Sequence, residues 1–172
     1  MSLHYLLDGY NIIHQMPSSD ALRLEDRRHQ LVRFIEFRRP QGSLRNPVTI
    51  VFDGKAGHWS GTDSSGVRVV FSEGETADTR IVRMVSQAPN KKTMVVVTDD
   101  REIQYAVRAL GAQVSGVQEF LGRVLKSSAK MKGGKKESGS SQERGSQEKY
   151  ISQTLAHTIT SEFEKIWLNH KG

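Results

Sequence analysis

TMVVVTDDREIQYAVRALGAQV, residues 93–114, is the stretch on which the fold turns. Thr93–Thr98 is the most strand-like run of the chain, rich in β-branched residues, and two aspartates end it. Ile103, Ala106, Val107 and Leu110 then recur at helical spacing along one side, and Gly111 is placed to stop that helix. Ala112–Ser115 returns to strand. A strand that reaches the next one through a helix pairs with it in parallel, because the crossover carries the chain back to the starting edge.

The alternation continues upstream. Residues 4–7 read as a first strand, followed by Asp8-Gly9-Tyr10-Asn11, a run of ordinary turn formers. Residues 20–39 read as a helix with Asp20 as N-cap and Pro40 as stop. Leu24, Leu31 and Ile35 share one side of it, with Arg23, Arg27, Arg28, Arg38 and Arg39 elsewhere. Val48–Phe52, apolar on both faces, reads as a strand of a covered parallel sheet. Lys55–Gly66 is a loop, Val67–Phe71 a third strand, and Glu75 opens a helix that turns Ala77, Ile81, Met84 and Val85 inward. A last helix is expected over 117–125. The expected class is α/β, a three-layer α/β/α sandwich with a mainly parallel sheet over residues 1–125. Residues 126–149 are Lys, Ser, Gly, Glu and Gln with almost nothing apolar, the composition of a basic flexible linker or insertion. Within 150–172, Ile151, Leu155, Ile159, Phe163 and Ile166 mark an amphipathic helix able to dock on the domain or on a partner.

Four acids follow or flank these strands: Asp8, Asp53, Asp78 and Asp100. In a parallel sheet the carboxyl ends of the strands share one edge, where ligands bind. Carboxylates gathered there repel one another, and a cation, usually a metal ion, relieves the repulsion. Each acid also has a plainer reading. Asp8 and Asp53 fit turns, Asp78 and Glu75 fit the dipole of a helix N-terminus, and Asp99 or Asp100 fits an N-cap. The joint pattern is more specific than any one member.

Composition narrows the classes. At 172 residues with 36% hydrophobic content the chain suits one domain with a real core. Without cysteine there is no disulfide, thiolate metal site or cysteine nucleophile. No run is long enough for a membrane span and no signal peptide is evident, so the expected location is the cytoplasm, with no membrane partner. The net charge of +6 points to a polyanion. Residues 126–149 supply most of it, seven Lys or Arg against three Glu. Neither a GxGxxG nor a P-loop glycine pattern follows a strand, and no nucleophile-elbow motif occurs. Tyr10 stands where a phosphatase of the haloacid dehalogenase class would need a second acid.

LLDGYNII, VTIVFDG, VVFSEGETADTRI and VVVTDDREIQYAVRALGAQV together closely resemble the PIN-like NYN ribonucleases of the YacP type, over roughly residues 3–125. The resemblance implies a PIN-like Rossmannoid sandwich and a metal-dependent endoribonuclease whose acids are Asp8, Asp78 and Asp100. Asn11 matches the asparagine of the family's DGYN turn, and Asp53 the acid of its VFD strand end. Relatives commonly read Thr-Ser-Asp where this chain reads Thr98-Asp99-Asp100. The motif's register favours Asp100 as the ligand.

Mg²⁺ or Mn²⁺, as one or two ions, is the expected cofactor, because both prefer oxygen donors. Asp8 and Asp100 are the expected principal ligands, with Asp78 as ligand or water-positioning acid. Glu75, Asp53 and Asp99 stand behind them. The substrate would be single-stranded RNA, with Tyr10 to stack a base, His14, Arg80 and Arg101 to meet phosphate, and Asn11 in the same loop. Trp59 is either a loop anchor or an RNA contact. Some relatives are thought to act on translated messenger RNA, so the ribosome is an expected partner by resemblance. The rival reading is a non-catalytic RNA- or ribosome-binding module on the same scaffold. The oligomeric state leaves no trace in the sequence.

Overall fold

The computed structural model describes residues 2–16, 22–57, 59 and 66–123. The proposed linker and C-terminal helix, and Asp20, lie outside the described residues. Strands β1 (His4–Asp8), β2 (Val48–Phe52), β3 (Val67–Phe71), β4 (Met94–Val97) and β5 (Gln113–Ser115) form one sheet in the order β3-β2-β1-β4-β5. Every pairing is parallel. The order reverses direction at β1, so the chain leaves β1 towards one side and β4 towards the other. That divergence opens the crevice in which such sheets bind ligands.

Alternation along the strands splits the core in two. Tyr5, Leu7, Ile50, Phe52, Val95 and Val97 face helices α1 (Gly9–Gln15) and α2 (Leu24–Arg38) and a helical segment over residues 117–123. Leu6, Val51, Met94 and Val96 face α3 (Ala77–Gln87) and α4 (Arg101–Ala109). These are the three layers expected. Phe52 is fully buried, and burying a side chain of that size contributes about 1.5–3 kcal/mol.

Several boundaries differ from the sequence reading. The DGYN segment is not a turn: Asp8 caps α1, whose seven residues are too few to display an apolar period. α2 begins at Leu24 rather than 20, and Leu24 is exposed. Its place in the first turn carries it past the sheet, while Leu31, Phe34 and Ile35 are buried. α3 begins at Ala77, with Thr76 as its cap, so Glu75 precedes the helix. Met84 is only half-buried beside Ile81 and Val85. Gly111 ends α4 with φ +91, as its position implies.

Candidate active site at the carboxyl edge of the sheet

Asp8 is the last residue of β1 and points to the α3–α4 side, as Leu6 does. It is 8% exposed. One carboxylate oxygen accepts the Asn11 amide at 3.2 Å, capping α1, and the other accepts the Thr98 hydroxyl at 2.9 Å. Thr98 is fully buried, and its oxygen also accepts the Asp100 amide at 3.1 Å. One hydroxyl therefore ties the end of β1 to the loop after β4. Asp100 caps α4, accepting the amides of Glu102 at 2.8 Å and Ile103 at 3.2 Å with the same oxygen.

Asp53 follows β2 and accepts the Ser72 hydroxyl at 2.8 Å. Ser72 also receives the Gly54 amide, and the Glu73 amide donates to the Gly54 carbonyl. These bonds hold the ends of β2 and β3 together and lead the chain into α3, where Asp78 lies in the first turn.

The electrostatics group these acids. Burial raises the Asp8 carboxyl above the ordinary range, and the charges of Asp78 and Asp100 raise it further, against the two hydrogen bonds it accepts. Asp78 is raised too, first by partial burial at the foot of α3, then by Asp100, Asp53 and Glu102. Asp8, Asp78 and Asp100, with Asp53 and Glu102 around them, thus form one negative field drawn from four strand ends. Glu102 was not singled out in the sequence, since a lone acid in a helix's first turn reads as dipole pairing. Ser72 and Thr98 were likewise missed as positioning residues.

Other candidates fall away from this field. Asp99 turns to the opposite side of the sheet, where it accepts the Val117 amide at 3.0 Å and the Gln15 amide group at 2.7 Å. The extra acid is thus a structural pin for the segment over 117–123. Glu75 is paired with Arg80 at 3.2 Å and with Arg83. That engages both Glu75 and Arg80. Asn11 accepts the Asp99 amide at 3.0 Å, latching α1 to the loop after β4. Tyr10 packs on Phe52, and its hydroxyl meets Arg28, whose guanidinium lies 5.2–5.5 Å from the rings of Tyr10, Phe52 and Phe71. Tyr10 is thereby half-buried in an aromatic cluster rather than presented as a free stacking face. Trp59 stacks on His29 at 4.4 Å and meets Phe71 edge-on, which makes it a loop anchor. His14 and Arg101 are exposed.

Among the described residues, no three His, Cys, Asp or Glu side chains stand close enough to hold one ion together. The expected threefold direct ligation by Asp8, Asp78 and Asp100 is therefore not formed by these side-chain positions. The donor chemistry still fits Mg²⁺ or Mn²⁺: the groups are all carboxylates, they repel one another, and such ions keep several waters that bridge to ligands.

A parallel sheet of this order with acids from separate strand ends at its carboxyl edge defines the class, a Rossmann-like α/β/α protein with an acidic cleft. The chain belongs to the YacP-like NYN domain family, whose profile matches residues 5–167, well past the last described residue. The crystal structure of Rae1 (YacP) from Bacillus subtilis is similar, at 26% identity with a TM-score of 0.61, covering 99% of this chain and 94% of that one. A tryptophan-to-leucine variant of the same Bacillus subtilis protein matches at 25% identity, 96% and 91% coverage and a TM-score of 0.61. No curated protein gives a significant match. The family match and these structural neighbours support an RNase-type family. No helix among the described residues is long and apolar enough to cross a membrane.

Proposed function

We propose that this protein is a metal-dependent endoribonuclease that hydrolyses phosphodiester bonds of single-stranded RNA. The observation that carries the reading is the gathering of Asp8, Asp78 and Asp100 at one edge, with Asp8 and Asp78 raised first by burial and then by neighbouring carboxylates. A site meant only to bind RNA gains nothing from negative charge where phosphate must dock. Asp8, Asp78 and Asp100 would hold the ion, directly or through its waters. A bound divalent ion supplies neutralisation of phosphate charge and a more acidic water. The chain's own part is to orient Asp8 by the two hydrogen bonds it accepts, which oppose the effect of burial, and to fix Asp100 by the Thr98 bridge and the α4 cap. Relatives' proposed action on translated messenger RNA supports the ribosome as partner, with the basic stretch 126–149 as an electrostatic tether.

The test is cleavage of labelled single-stranded RNA with Mn²⁺, Mg²⁺ or EDTA, for wild type, Asp8→Asn and Asp100→Asn. Metal-dependent cutting lost in both variants is the expected result. RNA binding without cutting, unchanged by adding ribosomes, would establish the binding-module reading instead.

A further inference from the structure

The outer face of α4 carries a stripe of cations and one aromatic ring that begins at the acidic edge. α4 opens on its cap Asp100 and runs back from the carboxyl edge, burying Ile103 and Val107 against the sheet. At about 100° per residue, Arg101, Tyr105 and Arg108 fall within about 60° of one another on the side away from the core, and all three are exposed. Glu102, the one acid within α4, is turned away from them into the groove against α3, which it lines together with Asp78. The stripe itself is therefore purely cationic and aromatic.

These three side chains are unspent, and the helix under them is fixed. Tyr105 is 80% exposed, more than Leu24, Leu44 or Phe37, the other large apolar side chains at the surface. Among the described residues its ring stacks on no other, and neither guanidinium has an ion pair or a hydrogen bond. Tyr10, by contrast, has its ring against Phe52 and its hydroxyl on Arg28. α4 is anchored at its first turn by the Asp100 cap and by the Gln104 side-chain amide, which donates to the Thr98 carbonyl at 2.8 Å. A binding surface on an anchored helix holds its groups in place better than one on a loop.

We propose that this stripe guides the RNA strand past the acidic site: an unpaired base stacks on Tyr105 while Arg101 and Arg108 each meet a phosphate. Single strands are held by such a combination, a ring for the base face and cations for the backbone. Arg101 and Arg108 are separated by about 10 Å along the helix, about three steps of a stacked strand at about 3.4 Å each, with Tyr105 between them. Arg101 directly follows Asp100, so the first phosphate contact adjoins the carboxylates and offsets their repulsion of the strand. The inference rests on the ligand of the reading above, single-stranded RNA, and does not depend on its metal or its chemistry.

The test is fluorescence-anisotropy titration of a labelled oligoadenylate, and of an abasic ribose-phosphate strand of the same length, with the full chain in EDTA so that no cutting intervenes. Tyr105→Ala should weaken binding of the oligoadenylate by at least about fivefold, the low end of what one stacked base contributes, and leave the abasic strand unaffected. Tyr105→Phe, which keeps the ring, should bind as wild type does. Arg101→Gln and Arg108→Gln should each flatten the dependence of log affinity on log salt by about 0.7, one phosphate contact to a single strand, on both probes. Circular dichroism checks that the variants keep their fold. Oligoadenylate affinity unchanged in Tyr105→Ala, an equal loss on the abasic strand, or no binding of oligoadenylate by wild type overturns the proposal. A wild type that cuts RNA with Tyr105→Ala binding normally removes this inference alone, whereas a Tyr105 effect on binding in a protein that never cuts removes the nuclease reading and leaves the stripe in place.

Discussion

Replacing Gly9 by alanine tests how closely α1 must approach the sheet to hold Asp8 in place. The added Cβ would stand 2.3 Å and 2.4 Å from two ring carbons of Phe52 and 2.8 Å from the carbonyl oxygen of Val51. Carbon atoms rest comfortably at about 3.5–4.0 Å, so either the helix retreats by about 1 Å or the ring turns. The ring has little room, being fully buried and packed against Tyr10, Trp59 and Phe71. The Val51 carbonyl belongs to the middle of the sheet and cannot yield. Overpacking costs about 1–3 kcal/mol, and with backbone on one side the upper part of that range applies, about 2–3 kcal/mol. Thermal midpoints fall by about 2–4 °C per kcal/mol for a chain of this size, hence by about 4–12 °C here. Urea denaturation of wild type, Gly9→Ala, Phe52→Leu and the double variant measures it. Shrinking the ring should recover about 1 kcal/mol relative to the sum of the single changes, since the two residues touch. A Gly9→Ala stability within about 0.5 kcal/mol of wild type, or strict additivity with Phe52→Leu, would refute the close-approach argument.

Other outcomes follow from the same geometry. Asp8 and Asp78 have folded pKa values raised above 3.8, so the stability each gives as a neutral acid is complete below 3.8 and is lost as pH rises through the raised value. Without metal, Asp8→Asn, which still caps α1, should therefore melt higher than wild type near neutral pH, with the gap closing towards pH 3.8; a gap independent of pH contradicts this. Mn²⁺ should raise the melting temperature of wild type but not of Asp8→Asn, as expected for a ligand of the folded state alone. Asp99→Ala removes bonds to Val117 and Gln15 and should lower stability by about 1–3 kcal/mol while leaving metal-dependent cleavage in place, in contrast to Asp100→Asn. Deleting residues 126–149 should weaken RNA binding at physiological salt and flatten its salt dependence more than it alters cleavage; loss of cleavage with affinity retained sinks the tether assignment.

The strands were legible because each is a short apolar run with a boundary signal. Val48–Phe52 and Val67–Phe71 match the structure residue for residue. α1 was not legible, since a helix of seven residues opening on Gly9 offers turn chemistry and no period. Residue type alone did not separate Asp100 from Asp99, though the motif's register favoured Asp100; in the structure Thr98 turns towards Asp8, whereas Asp99 turns towards Gln15. Tyr10 is engaged by Phe52 and Arg28, and Asn11 by the Asp99 amide, contacts between distant segments that no local pattern announces.

Local pattern determined the fold class, the strand ends and the acids that follow them, because those depend on neighbours within a few residues and on one family's motifs. Only the tertiary structure decided which acids share a field, since that depends on the order β3-β2-β1-β4-β5 and on which side of each strand a residue faces. It brought Asp8, Asp78 and Asp100 within each other's charge, drew in Glu102 from the start of α4, and gave Glu75 to two arginines. Ion pairing and desolvation act through space, and no spacing along a chain encodes that distance.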